Sequence, residues 1–228
     1  MKEQEIKRTI SLKIIVAALI ISLLIFASGV IIGLAFSQAS TNSLSNELDS
    51  LQAQTSFLEV ASQSNFGPSI NQTKLLCPLY SSQLSSFDNQ TELFRQKLDY
   101  LIQTRGLTDP SVLSLQSSYD YLQARDYLNI KRFDYQCGFN FNSVLFFYSP
   151  NCPDCDNQLT NLAQVKKQSN FSVFIYSFDG TSGQTAVNAL KAIYNVSNSY
   201  PVTVINDKVL YGVYNQSEIL SYLNQSSS

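Results

Sequence analysis

Two runs near the C-terminal end constrain this chain most: SVLFFYS (143–149) and SVFIYSF (172–178). Neither alternates between apolar and polar positions, which is the pattern of strands covered on both faces. The segment between them, Asp154 to Lys167, reads as a helix, with Asp154 and Asp156 near its positive end and Lys166 and Lys167 near its negative end. Strand, helix and strand in succession imply a parallel pair. A Gly-rich turn, Asp179 to Gly183, leads into a second helix that is expected to face Ala186, Val187, Leu190, Ile193 and Tyr194 inward. VTVI and KVLYGV flank Asn206-Asp207 as a hairpin, and Asn215-Gln-Ser-Glu218 has the form of a capping box that opens a last helix through Leu223. The expected fold class over 143–228 is therefore α/β, with the order β-α-β-α-β-β-α and a mixed four-stranded sheet.

Immediately after the first run come two cysteines three apart, in Asn151-Cys152-Pro153-Asp154-Cys155. Three readings are open for the pair: a redox centre, half of a metal site, or an inert bridge. Cys152 follows a strand and begins a helix, and Pro153 falls in the first turn, where its missing donor is harmless. Amide groups and the helix dipole at such a position stabilise a thiolate, the species that attacks a disulfide. Asp154 works against this, because a nearby carboxylate opposes a second negative charge. A second feature is Tyr200-Pro201 at the start of the third strand, where a proline would harm a central ladder but suits a loop-to-strand junction, including one with a cis bond.

A zinc site would need Cys77, Cys137, Cys152 and Cys155 together, yet only one close pair exists and the chain has no histidine. No metal and no cofactor are expected. The simplest reading of Cys77 and Cys137 is a structural disulfide that closes a loop of 60 residues, contributing about 4 kcal/mol in the chain-entropy model. The alternative is a second redox pair that exchanges electrons with the first.

The CPDC pair after the first strand, the helix behind it and the proline before the hairpin resemble the thioredoxin-like superfamily in its compact glutaredoxin-sized form. The resemblance covers Ser143 to about Asn224. It implies that Cys152 is the exposed nucleophile and Cys155 the buried resolving thiol. It also implies that Pro201 is a cis-proline facing them, that Tyr200 offers backbone groups to an extended substrate, and that Pro153 and Asp154 tune the pair. The chain departs from the pattern in two places. Tyr148-Ser149-Pro150-Asn151 stands where many members carry a tryptophan before the motif, and Phe146 stands where many carry a buried acid.

The remaining sequence is read from composition and periodicity. Ile14 to Phe36 is a 23-residue stretch without a charge, long enough for a hydrocarbon core of about 30 Å. Lys2, Lys7, Arg8 and Lys13 precede it, whereas the next basic residue is Lys74. The expectation is a single-pass anchor in the cell membrane with a cytoplasmic N-terminus and an extracytoplasmic C-terminal domain; a cleaved signal peptide ending at Ser37-Gln38-Ala39 is the competing reading. Gly29 and Gly33, followed by Leu44, Leu48, Leu51, Thr55 and Leu58 at alternating spacings of four and three, suggest a parallel homodimer through a short coiled coil. Asn65-Phe66-Gly67-Pro68 breaks that pattern. Beyond it lie two helical patterns, one on Leu93, Phe94, Leu98, Leu101 and Ile102, and another opening at Asp109-Pro110 through Leu113, Tyr119, Leu122 and Leu128. The expected organisation is a cytoplasmic tail at 1–13, a transmembrane helix at 14–36, a polar linker with a coiled-coil-like helix at 37–66, a helical subdomain and connector at 67–142, and the thioredoxin-like domain at 143–228.

Net charge is −2 and no basic stripe is present, so nucleic acid is excluded as a partner. The absence of histidine also removes Ser-His-Asp and Cys-His catalysis of the usual kind. Six Asn-x-Ser/Thr sequons, at Asn71, Asn89, Asn170, Asn195, Asn215 and Asn224, permit glycosylation in a secretory setting. The expected function is a membrane-anchored thiol-disulfide oxidoreductase acting on protein thiols or disulfides, with a membrane redox partner. The alternative is a noncatalytic surface module that binds extended peptides.

Overall fold

The structure, a computed structural model, describes residues 12–63 and 72–225. It divides into two compact units, Met1–Asn46 and Glu47–Ser228. The elements in chain order are α1 (Leu12–Gln63), α2 (Gln72–Arg105), α3 (Pro110–Cys137), β1 (Asn142–Tyr148), α4 (Pro153–Gln168), β2 (Val173–Asp179), α5 (Thr185–Ile193), β3 (Val202–Ile205), β4 (Lys208–Tyr211) and α6 (Gln216–Asn224).

In the first unit the described part of α1 carries apolar side chains that are largely exposed, among them Leu19, Leu23 and Phe26. Gly29 and Gly33 meet nothing within 4 Å of the position a Cβ would take. Among the described residues no helix is long and apolar enough to cross a membrane. This overturns the transmembrane helix expected over 14–36, and with it the single-pass membrane localisation. Lack of charge is not by itself enough: a span must be both long and continuously apolar across about 30 Å, and no described helix meets that requirement. Lys2, Lys7 and Arg8 of the expected tail, the break at Asn65-Phe66-Gly67-Pro68, and the side chains of Thr55 and Leu58 lie outside the described residues.

The second unit is built on a four-stranded sheet of order β2-β1-β3-β4. β1 pairs with β2 in parallel, with Ser143 opposite Phe174 and Phe147 opposite Phe178. It pairs with β3 antiparallel, from Val144 opposite Ile205 to Phe147 opposite Val202, and β4 follows antiparallel on β3. The β3–β4 turn consists of Asn206 and Asp207, both at positive φ (49° and 63°); this conformation matches the strand twist and is tolerated best by Asn, Asp and Gly.

Alternate residues of the strands enter two cores. Leu145, Phe147, Phe174, Tyr176, Phe178, Val202 and Val204 pack with α2, α3 and α5. Val144, Phe146, Val173 and Ile205 pack with α4 and α6. The first six residues of β1 are buried, which is why its sequence shows no polar alternation.

Local chemistry sets the helix ends. Gly106, at φ 84°, follows the last residue of α2. Asp109 caps α3 by accepting from the Ser111 and Val112 amides at 2.8 and 3.3 Å, and Pro110 occupies the first turn. Gly138, left-handed at φ 66°, ends α3. α3 therefore runs well past Leu128. At α6, Asn215 accepts from the Glu218 amide at 3.0 Å while Glu218 accepts from the Asn215 amide at 2.8 Å.

Several expected core positions face outward. Ile193 (61% exposed), Leu93, Leu113 and Leu128 are exposed. In the long helices the expected Phe94, Leu98 and Leu101 of α2 and Tyr119 and Leu122 of α3 are buried, and Val112 and Leu115 complete the α3 stripe in place of Leu113 and Leu128. Leu48 and Leu51 are buried within the single chain, so they do not form an open seam for a second copy.

α3 also buries two carboxyls. Asp126 lies beneath β2 and accepts from the Tyr176 hydroxyl at 2.5 Å. Burial raises it to about 7, with the nearby Asp88 adding to the shift and the Tyr176 bond and Arg125 opposing it. Asp120 accepts from the Gln116 amide at 2.8 Å and is likewise raised to about 7 by burial. An unfolded aspartate titrates near 3.9, so the folded chain holds protons that the unfolded chain releases between roughly pH 4 and 7. Stability from these groups is complete below pH 4 and declines as pH rises to 7. We expect the urea midpoint to fall between pH 5 and 7.5, and Asp126→Asn, which keeps an acceptor for Tyr176, to flatten that fall. Parallel curves for the two proteins would refute the assignment.

Candidate functional site

The site starts where β1 runs out. After Tyr148 the chain turns through Asn151, a left-handed residue at φ 58°, a conformation that Asn adopts more readily than most residues. Cys152 is then the N-cap of α4, extended at φ −111° and ψ 98°, with Pro153 at the first helical position. The Cys152 carbonyl accepts from the amides of Cys155 and Asp156 at 3.0 and 3.3 Å. Its Sγ accepts from the Cys155 amide at 3.1 Å. A sulfur with this partner at a helix N-terminus sits where the peptide dipoles favour negative charge.

Cys152 and Cys155 form a disulfide, with Cα atoms 5.2 Å apart. The two sulfurs have different surroundings. Cys155 is 3% exposed and packs with Val144, Phe146, Leu162 and Ile219. Cys152 is half-buried, Pro153 and Asp154 beside it are exposed, and so Cys152 is the member of the pair nearer to solvent.

β3 brings Pro201 to the same place. Because β3 runs antiparallel to β1 and Val202 stands opposite Phe147, Pro201 lies beside the end of β1 from which the cysteine turn departs. The Tyr200–Pro201 peptide is cis. Pro201 is buried, and its carbonyl accepts from the Gly212 amide at 2.9 Å. Tyr200 and Cys152 both pack on the α4/α6 core. The structure thus gathers Cys152, Pro153, Asp154, Cys155, Tyr200 and Pro201 at one end of the sheet.

Cys77 and Cys137 lie elsewhere. They form a disulfide with Cα atoms 5.8 Å apart, joining the start of α2 to the last residue of α3. Cys137 precedes the start of β1 whereas Cys152 follows its end, and the seven residues of β1 extend for about 20 Å. Thiol-disulfide exchange requires one sulfur to reach another. Across that distance the two pairs of one folded chain do not exchange, so a bridge that staples α2 to α3 is the reading the geometry favours.

Phe146 is part of the apolar wall around Cys155. The buried carboxyl of this end of the sheet comes from α3. Asp120 has no exposed surface, and its Oδ2 has no hydrogen-bond partner among the described residues. Burial is the main cause that pushes the Tyr148 hydroxyl well above its usual range, and the charges of Asp120 and Asp179 add to it.

Sequence reasoning missed Gln158, which is completely buried on α4 one turn beyond Cys155. Its Nε2 donates to the Thr203 hydroxyl at 3.1 Å, and its Oε1 accepts from the Tyr214 amide at 2.7 Å. Gln158 therefore ties the cysteine helix to β3 two residues after Pro201. A signal was present: Cys155, Gln158, Leu162 and Val165 form one inward stripe, and a polar residue in an apolar stripe needs a buried partner. Among the described residues no group of His, Cys, Asp and Glu is arranged to hold a metal ion.

Gln158→Leu leaves the buried Thr203 hydroxyl and the half-buried Tyr214 amide without this partner, which costs about 1–3 kcal/mol for a buried group. We expect urea denaturation to show a loss in that range; an unchanged midpoint would mean that Gln158 is not a clamp.

No known protein-family model and no curated protein matches this chain.

Proposed function

We propose that this chain is a thiol-disulfide oxidoreductase of thioredoxin-like architecture, with Cys152 as the attacking sulfur and Cys155 as the resolving one. The observation that carries the reading is the asymmetry of the pair. One sulfur is half-exposed at a helix N-terminus with an amide donating to it, and the other is sealed in the core one turn on. The parallel β1–β2 pair, the antiparallel β3–β4 hairpin and the position of Pro201 beside the cysteine turn also support it.

In the reducing direction the Cys152 thiolate attacks one sulfur of a substrate disulfide, forming a mixed disulfide and releasing the other substrate sulfur as a thiolate. Cys155, as a thiolate, then attacks Cys152 Sγ. The second substrate thiolate leaves, and the Cys152–Cys155 disulfide is formed. Two electrons pass to the substrate, and its two thiolates take up the protons given up by the cysteines. The reverse sequence starts from the disulfide and oxidises a substrate dithiol. The main chain at Tyr200 offers an extended substrate segment its hydrogen-bonding groups.

Cys155→Ala removes the resolving step. Mixed disulfides with client proteins are expected to accumulate on nonreducing gels and to vanish on reduction, and Cys152→Ala is expected to form none. If a folded Cys155→Ala protein traps no client, the chain is a binding module rather than an exchanger. A second measurement addresses Asp154, whose carboxylate opposes a thiolate on its neighbour. Asp154→His should make the reduction potential of the pair less negative by about 30 mV for each 1.4 kcal/mol of thiolate stabilisation. A more negative or unchanged potential would contradict that account.

A further inference from the structure

We infer that Lys191 is a positioning residue that holds Tyr200 in place for an extended peptide substrate, a role that rests on the oxidoreductase reading of the Cys152 pair. Lys191 lies in the last turn of α5, and its ammonium group has three donors. All three find oxygen: the Gly180 carbonyl at 2.8 Å, Asn198 Oδ1 at 2.7 Å and the Tyr200 hydroxyl at 2.6 Å. The nitrogen lies 5.2 Å from the Tyr200 ring centroid. It therefore sits beyond the ring's edge, beside the hydroxyl, rather than over the π face. The Tyr200 hydroxyl in turn donates to the Gly180 carbonyl at 2.7 Å.

Gly180 completes the lock. Its amide donates to the Tyr148 carbonyl at 2.8 Å, at the end of β1 from which the cysteine turn departs. A Cβ on Gly180 would collide with the Tyr200 ring, so the close approach requires glycine there. Lys191 thus joins three segments: the end of β2, the loop before Pro201 and, through Gly180, the end of β1.

The main chain of Tyr200 is the part left open. Among the described residues its amide and carbonyl have no hydrogen-bond partner. Tyr200 and Cys152 border the same core. A peptide docking beside Cys152 in extended form needs fixed backbone donors and acceptors, and a residue whose side chain is pinned at its far end presents them with less ordering left to do. A small disulfide without a peptide backbone gains nothing from this arrangement.

The test compares Lys191→Met with the wild type on two substrates, with dithiothreitol as reductant and the uncatalysed rate subtracted. One substrate is a short synthetic peptide with an internal disulfide, and the other is hydroxyethyl disulfide. We expect KM for the peptide to rise about tenfold with kcat within about twofold, the rate with hydroxyethyl disulfide to hold, and Lys191→Arg to recover part of the KM. If Lys191→Met does not fold, Lys191→Gln, which keeps a donor but cannot reach all three oxygens, should give the same split. An unchanged peptide KM overturns the role of Lys191, as does an equal fall in rate on both substrates, and each leaves the oxidoreductase reading standing. A wild type inert on both substrates overturns the two together.

Discussion

The second unit depends on burial of β1 on both faces. A strand with polar positions on one side could lie against a single layer of helices, but Asn142 to Phe147 are buried throughout and need cover above and below. α2, α3 and α5 supply one layer and α4 and α6 the other. The pairing of β1 with β2 on one edge and β3 on the other leaves its C-terminal end as the point where the cysteine turn, the end of β2 and the start of β3 meet. A chemical site at that end inherits its geometry from the ladder rather than from a flexible loop.

Buried polar groups then set the site more finely. Apolar contacts between α4 and β3 are non-directional and would tolerate small slides. Gln158, bonded to Thr203 and Tyr214, specifies one relative position of the cysteine helix and the strand behind Pro201. On the other side of the sheet Lys191, Gly180 and Tyr200 do the same for the loop before Pro201. The two devices sit on opposite faces and act on the two ends of one short segment, Tyr200 to Thr203.

Much of the sheet was legible because its signals are local. Continuous apolar runs marked β1 and β2, Asn206-Asp207 marked the turn between β3 and β4, and Asn215 with Glu218 marked the start of α6. The helices were harder to read. Their stripes were misjudged at Leu93, Leu113 and Ile193 because adjacent apolar residues offer two overlapping faces and propensity does not choose between them. The transmembrane expectation rested on an uncharged 23-residue stretch and the basic residues before it, and among the described residues no helix is long and apolar enough to cross a membrane.

By itself the sequence determined the cysteine pair at a strand-to-helix junction, the proline before the third strand and the caps, since each depends on residues within a few positions of one another. Only the tertiary structure decided that Cys155 is sealed while Cys152 is not, that Cys77 meets Cys137 at the far end of β1, and that Gln158 and Lys191 find partners far away in sequence. The reason is physical: burial and long-range hydrogen bonds are properties of packed neighbours, and the neighbours of a buried polar side chain are chosen by strand register and helix placement rather than by the residues beside it in the chain.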